Sequence, residues 1–245
     1  MDACPSNANR LSEGILHYSR QACTACGRCV DSCPEHAREV VGWSQSPENI
    51  ASVLEKDAVF YRTSGGGVTF SGGEPFAQPD TLRSLAVQCI SSGIPTAVET
   101  SGFFPIDDVV DIFESINEIF IDIKHLDDRI HRILTGVSNS RIIKNIHTLD
   151  NLGREITLRI PLVAGLTDTH NNIEGIVEIC SRLKHVAGVE LLPYHNLGSG
   201  KYQDLDLPCD HRLKPPVKEV IERITHRLRS QGIAVHAADT PKDRS

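Results

Sequence analysis

The chain has 245 residues, enough for one α/β barrel or two small domains, with 40% apolar and 23% charged residues, an ordinary globular balance. A formal charge of −7 argues against non-specific nucleic-acid binding, which needs a basic face. No apolar run approaches the roughly 20 residues that span a bilayer, and the first residues carry acid, cysteine and asparagine rather than a signal, so the expected location is the cytoplasm, away from the membrane.

Of eight cysteines, Cys4, Cys23, Cys26, Cys29 and Cys33 fall in the first 33 residues, while Cys89, Cys180 and Cys209 are scattered and read as core thiols. A secreted disulfide domain would spread its cysteines, so this clustering points to metal binding in a reducing compartment. Residues 23–34 read Cys-Thr-Ala-Cys-Gly-Arg-Cys-Val-Asp-Ser-Cys-Pro, the C-x2-C-x2-C-x3-C-P run of iron–sulfur proteins. Zinc draws its four ligands from two separated knuckles, which is a different pattern. The fourth cysteine of such a run often ligates a second cluster; with no second run present, Cys33 either completes the same cluster or lacks that role.

From Pro47 the chain alternates between helical and strand patterns. Helices are expected over Pro47–Arg62, Asp80–Ser92, Asp107–Ser115, Asn139–Leu152, Ile173–Lys184 and Lys218–Arg229. Strands are expected at Val68–Phe70, from Thr96 into Glu99, at Ile119–Lys124, Ile156–Pro161 and Val189–His195, with a short one at Ile233–His236. Such alternation implies right-handed βαβ units and a parallel sheet. Five of these strands end in polar residues or glycine: Gly72-Gly73-Glu74, Glu99-Thr100, Asp122 with Lys124, Arg159, and His195. In β/α barrels that end carries the active site. Glu74 suits an ammonium, Asp122 ribose hydroxyls, Lys124 and Arg159 a carboxylate, and His195 a purine. The ligand so inferred is zwitterionic, with a nucleoside part, handled beside redox iron.

The run Phe60–Pro75, ending Ser-Gly-Gly-Glu-Pro, closely resembles the glycyl-radical-enzyme activating enzymes of the radical S-adenosylmethionine superfamily. So do Asp122-Ile123-Lys124, Arg159-Ile160-Pro161, and Leu192-Pro193-Tyr194-His195-Asn196-Leu197-Gly198. Leu134–Asn139 and Lys214-Pro215-Pro216 look like the pyruvate formate-lyase activating branch. The resemblance implies an α/β fold: a partial (β/α)6 barrel over residues 47–240, here lacking its first strand, with a small ferredoxin-like [4Fe-4S] insert over 23–46, a cluster-loop remnant over 1–22 and a tail at 241–245.

It implies S-adenosylmethionine as cofactor, opened by one electron from reduced flavodoxin or ferredoxin to a 5′-deoxyadenosyl radical that takes a hydrogen from a glycine of a partner enzyme. By position, Gly72, Gly73 and Glu74 would hold the amino group, and Thr100 with Asp122-Ile123-Lys124 would lie about the carboxylate and ribose. Arg159 and His195 would line the nucleoside side, and Cys23, Cys26, Cys29 and Cys33 would hold the auxiliary cluster. The family's own cluster takes a C-x3-C-x2-C run, of which only Cys4 has a counterpart, Met1 standing at the second cysteine's place. The expectation is therefore an N-terminally incomplete activase. The alternative is a one-cluster electron carrier or partner-binding scaffold without catalysis.

Overall fold

The computed structural model describes residues 3–40, 42, 44–204, 207 and 212–237. Met1, Cys209 and the tail at 241–245 lie outside the described residues. The chain forms two compact units: residues 1–45 with 196–211, and residues 46–195 with 212–245.

The first unit contains a hairpin of β1 (Asn9–Ser12) and β2 (Ile15–Tyr18), paired Asn9 to Tyr18 through Ser12 to Ile15. Its two-residue turn, Glu13-Gly14, has φ of 52° and 77°, the doubly positive geometry that matches the twist of tight hairpins. Neither strand carries a buried face: Leu11, Ile15, Leu16 and Tyr18 are all exposed. The cysteine run follows, with one helical turn at Arg28–Asp31 entered through Gly27 at φ 75°.

The second unit is a six-stranded parallel sheet in strictly sequential order: β3 (Val68–Phe70), β4 (Thr96–Thr100), β5 (Glu118–Asp122), β6 (Ile156–Leu162), β7 (Val186–Pro193) and β8 (Val235–Ala237). Helices at Pro79–Ser91, Ser140–Asn151, His170–Arg182 and Lys218–Arg229 close the crossovers. Val98, Ile119, Ile121, Leu158, Ile160 and Leu191 of the strands meet Ile146, Leu149, Ile176 and Leu228 of the helices in one core. Gly67 lets β3 begin: a Cβ there would sit 2.2 Å from the carbonyl oxygen of Pro95, which accepts the first pairing bond from Val68 N. Among the described residues no helix is long and apolar enough to cross a membrane.

Some expected elements differ in detail. The expected helix over Pro47–Arg62 is two, Pro47–Lys56 and Ala58–Ser64, broken where Asp57 adopts φ −93° and ψ 0°. The stretch Asp107–Ser115 forms short 3-10 turns, Ile106–Asp108 and Val110–Ser115, interrupted by the β-branched Val109 at φ −139°. A helix at Asp128–Thr135, absent from the sequence expectation, is capped by the Asp127 carboxylate, which accepts from Ile130 N.

Candidate active site: an acid-rich sheet face and a cysteine-lined cavity

Burial alternates strictly along β4, β5 and β6, and along β7 from Val189 onward. Val98, Ile121, Leu158, Ile160 and Leu191 are buried beneath the helices, while Ala97, Glu99, Phe120, Asp122, Thr157, Arg159 and Glu190 form a half-open opposite face. Parallel sheets are ordinarily buried on both sides by apolar residues, so a half-open face carrying charges marks a site rather than a core.

Register assembles those charges. Asp122 pairs with Arg159, Arg159 with Glu190, and Glu190 with His236. Arg159 reaches across β5, its guanidinium 5.5 Å from the centre of the Phe120 ring, and meets Glu99 of β4 at 2.8 Å. Its Nε lies 2.7 Å from Glu190 Oε2, an ion pair in which the N–H is not aimed at that oxygen and has no hydrogen-bond partner. Ser71, just past β3, donates to Glu99 at 2.9 Å, and Lys124 Nζ donates to Asp122 at 2.7 Å.

The Ser-Gly-Gly-Glu-Pro turn is pinned at both ends. Gly72 takes φ 110°, a conformation that side chains rarely adopt, and the space around the Cβ positions of Gly72 and Gly73 is open. Glu74 accepts four hydrogen bonds: Oε1 from Thr100 Oγ1 at 2.7 Å and Phe76 N at 3.3 Å, Oε2 from Ser101 N at 3.0 Å and Ser101 Oγ at 2.5 Å. These occupy about four lone-pair positions, the full capacity of a carboxylate. Phe76 then anchors the turn, stacked 4.0 Å from Phe104 and 5.1 Å from Phe113.

The sequence-derived site residues are thus distributed unequally. Gly72, Gly73, Glu74, Asp122, Lys124 and Arg159 gather at the strand ends or on the open face. Thr100 is buried and serves Glu74 and Gly102 N. Ile123 is buried in the core, contributing its backbone N–H to the carbonyl of Arg159. His195 is exposed beyond the end of β7. The sequence marked Glu99 as a polar strand end and Ser71 as part of the glycine turn without giving either a partner, and it gave Ser101 and Glu190 no role; only register and the fold of the turn show that they converge.

In the first unit Cys4, Cys23, Cys26 and Cys29 line one cavity of about 530 Å³, with Tyr18 and Arg38 among the other walls. Arg38 lies 5.4 Å over the Tyr18 ring. Cys33 is not part of this lining. The Asn9 backbone and the Ser6 hydroxyl pull the Cys4 thiol down to about 7, and the Tyr18 hydroxyl with Ala25 N lowers that of Cys23. Soft, readily ionised thiols are the donor set that iron–sulfur clusters take. Among the described residues no three His, Cys, Asp or Glu side chains converge as a single bound metal ion requires. Burial pushes the Cys180 thiol up to about 11, and Cys89 is buried in the core, so both are inert by comparison.

The family model for the radical SAM superfamily matches residues 20–177, spanning the cysteine run and the sheet through β6 into the following helix. The isethionate sulfite-lyase activating enzyme of Oleidesulfovibrio alaskensis is 36% identical over 98% of this chain and 77% of its own length. The choline trimethylamine-lyase activating enzyme of the same organism is 36% identical over 95% of this chain and 77% of its own. The chain belongs to the radical SAM superfamily, in its branch of glycyl-radical-enzyme activating enzymes. A solved domain of a pyruvate-formate lyase-activating enzyme from Bacteroides vulgatus is 28% identical, with a TM-score of 0.60, covering 71% of this chain and 99% of that one. Glu74, Asp122 and Lys124 stand at or beyond the C-terminal ends of their strands, the end at which β/α enzymes bind their ligands.

Proposed function

We propose that the chain serves in the activation of a glycyl radical enzyme, with S-adenosylmethionine bound on the open face at the C-terminal strand ends. The observation that carries this reading is charge. Among the described residues of this face and its strand ends, Glu74, Glu99, Asp122 and Glu190 stand against Lys124 and Arg159, and the two carboxylates flanking Arg159 already hold it. S-Adenosylmethionine carries a sulfonium and an ammonium against one carboxylate, so its net positive charge suits an acid-rich surface.

In this reading the exposed Gly72-Gly73 backbone approaches the amino group while Glu74 supplies negative charge and holds the turn to Thr100 and Ser101. Lys124, oriented by Asp122, faces the carboxylate. Arg159 acts mainly as a positioning residue that fixes Glu99 and Glu190. A reduced iron–sulfur cluster beside bound S-adenosylmethionine would supply the electron for radical chemistry on a partner's glycine. That cluster takes thiolates spaced C-x3-C-x2-C, a run that the 245 residues do not contain, so the residues in hand do not fit it. We assign the auxiliary cluster to the thiol-lined cavity of the first unit, in a ferredoxin-like arrangement, with reduced flavodoxin or ferredoxin as donor in a reducing cytoplasm.

The partner is a glycine-bearing enzyme of the class served by the relatives. Pyruvate formate-lyase is one candidate on the motifs; a sulfite-lyase or a trimethylamine-lyase is supported by the 36% identical relatives. The test is S-adenosylmethionine binding by anaerobic calorimetry. The chain binds, and Glu74→Ala weakens binding at least about tenfold, about 1.4 kcal/mol or more, by removing a negative charge and releasing the turn from Thr100 and Ser101. Absence of binding by the unsubstituted chain would favour the scaffold reading, which needs no such ligand.

A further inference from the structure

Beyond the last residue of a strand the ladder stops, and buried backbone groups that follow need other partners. In the sheet unit the buried asparagines Asn139, Asn145 and Asn172 supply them. Asn145, within Ser140–Asn151, donates from Nδ2 to the carbonyls of Gly102 at 2.9 Å and Phe104 at 2.8 Å, in the loop after β4. Asn139, which precedes the same helix, donates to the carbonyls of His125 at 3.1 Å and Leu126 at 2.7 Å, in the loop after β5. Asn172, in the first turn of His170–Arg182, accepts from Leu126 N at 2.9 Å and donates to the Thr167 carbonyl at 2.8 Å, in the loop after β6.

The loop after β5 is held most completely. β5 ends at Asp122, and Ile123 N donates to the Arg159 carbonyl at 2.8 Å. At Leu126 both backbone groups are taken, the N–H by Asn172 and the carbonyl by Asn139. A Cβ at Gly175 would sit 3.0 Å from Leu126 Cβ, so glycine there lets the helix come close to this loop. His125 is buried; its Nδ1 accepts from Asp127 N at 3.0 Å, and burial pushes the imidazole pKa down, which keeps the ring neutral and able to accept. Lys124 stands between these fixed points, with 38% of its side chain exposed and its Nζ 2.7 Å from Asp122. Its backbone is anchored although its charge faces solvent. A satisfied buried polar network rigidifies one arrangement of the groups it joins.

We infer that Asn139 and Asn172 are positioning residues for Lys124. They hold the backbone that follows it from two helices, and so set where its ammonium meets the carboxylate of S-adenosylmethionine. This rests on the reading of the open face given above, and it gives two buried amides that touch no ligand a part in how tightly that carboxylate is held.

The probes are S-adenosylmethionine and its decarboxylated form, which lacks the group that Lys124 faces, each titrated calorimetrically into the 245-residue protein. Asn139→Ala and Asn172→Ala each shift the ratio of the two affinities against S-adenosylmethionine by about fivefold or more. In a Lys124→Met background the same substitutions leave that ratio unchanged, because the group they position is gone. A merely structural role weakens both ligands equally; a fixed ratio, or the same shift without Lys124, would overturn the inference while leaving the binding reading in place. Failure of the unsubstituted protein to bind S-adenosylmethionine would sink both. A second measurement needs no substitution, so a variant that fails to fold does not blur the answer. Because coupling is reciprocal, a carboxylate held through Lys124 steadies the clamp that holds Lys124. Hydrogen exchange at Leu126 N therefore slows with S-adenosylmethionine and not with the decarboxylated form, and equal slowing by both would count against the inference.

Discussion

The two units are held together by different physics. The sheet unit is organised by burial: its strands and helices share one aliphatic core, and the site is what remains on the other side of the sheet. The first unit has almost no core. Among its described residues Ala8 is the one buried apolar side chain, and the hairpin leaves Leu11, Ile15 and Leu16 exposed. A segment this small cannot offset the entropy of ordering by apolar burial alone, which is why small domains rely on metals or crosslinks. In the sheet unit, structure creates the site; in the first unit, on the cluster reading proposed above, the site would sustain the structure.

The sharpest way to break that contrast is to compare the protein reconstituted with iron and sulfide with the same protein after chelation. Chelation is expected to bring the backbone amides of 3–40 to nearly unprotected hydrogen exchange, since metal binding and folding are one equilibrium in such segments. The amides of β4 to β7 keep their protection, measured by exchange mass spectrometry before and after chelation. Parallel loss in both units would show that the sheet depends on the cluster, and the contrast would fall. The next largest effect lies under the glycine turn. Phe76→Ala removes a ring stacked 4.0 Å from Phe104, and we expect a loss of about 3–5 kcal/mol in urea unfolding of the sheet unit. Smaller again is Arg159→Met, which leaves Glu99 and Glu190 without their shared cation. Because the arginine side chain retains 18% exposure, the expected cost is about 1–2 kcal/mol rather than the larger loss seen on breaking a fully buried pair.

The sheet unit was largely legible in the sequence because burial writes itself into residue order. Val68-Thr69-Phe70 and the β-branched runs after it mark strands, and each expected strand has an observed counterpart. What escaped notice lacks a buried face. The hairpin Asn9–Tyr18 mixes Arg10, Ser12 and His17 with apolar residues that are themselves exposed, and the helix Asp128–Thr135 buries only His131. The candidate site was legible in its members but not in its connections. Arg159 reads in sequence as a cation awaiting a ligand's carboxylate; in the structure register gives it Glu190, and its reach over Phe120 gives it Glu99. Pairing across strands is a property of register, and nothing in a single strand's sequence states it.

The smallest expected effect lies at Asp128, outside both the core and the cysteine-lined cavity. Its carboxylate accepts from Ser138 Oγ at 2.5 Å, Arg132 Nε at 2.8 Å and Asn139 N at 3.0 Å, joining the start of its helix to the loop that leads into Ser140–Asn151. The Ser138 hydroxyl first, and Arg132 with it, hold the carboxyl down at about 2, below its usual 3.8. A depressed carboxylate stabilises the fold while it is ionised, so this contribution is complete above the unfolded-state value near 4 and fades as pH falls toward 2. The group is solvent-facing, which keeps the effect modest. Urea unfolding of the protein and of Asp128→Asn should differ at pH 7, with the gap closing as the pH is lowered from about 4 toward 2. A gap that stays constant over that range would show that the asparagine disturbs packing rather than removing a charge. A difference as large as that of Phe76→Ala would show that this polar junction, and not the aromatic stack, anchors its part of the sheet unit.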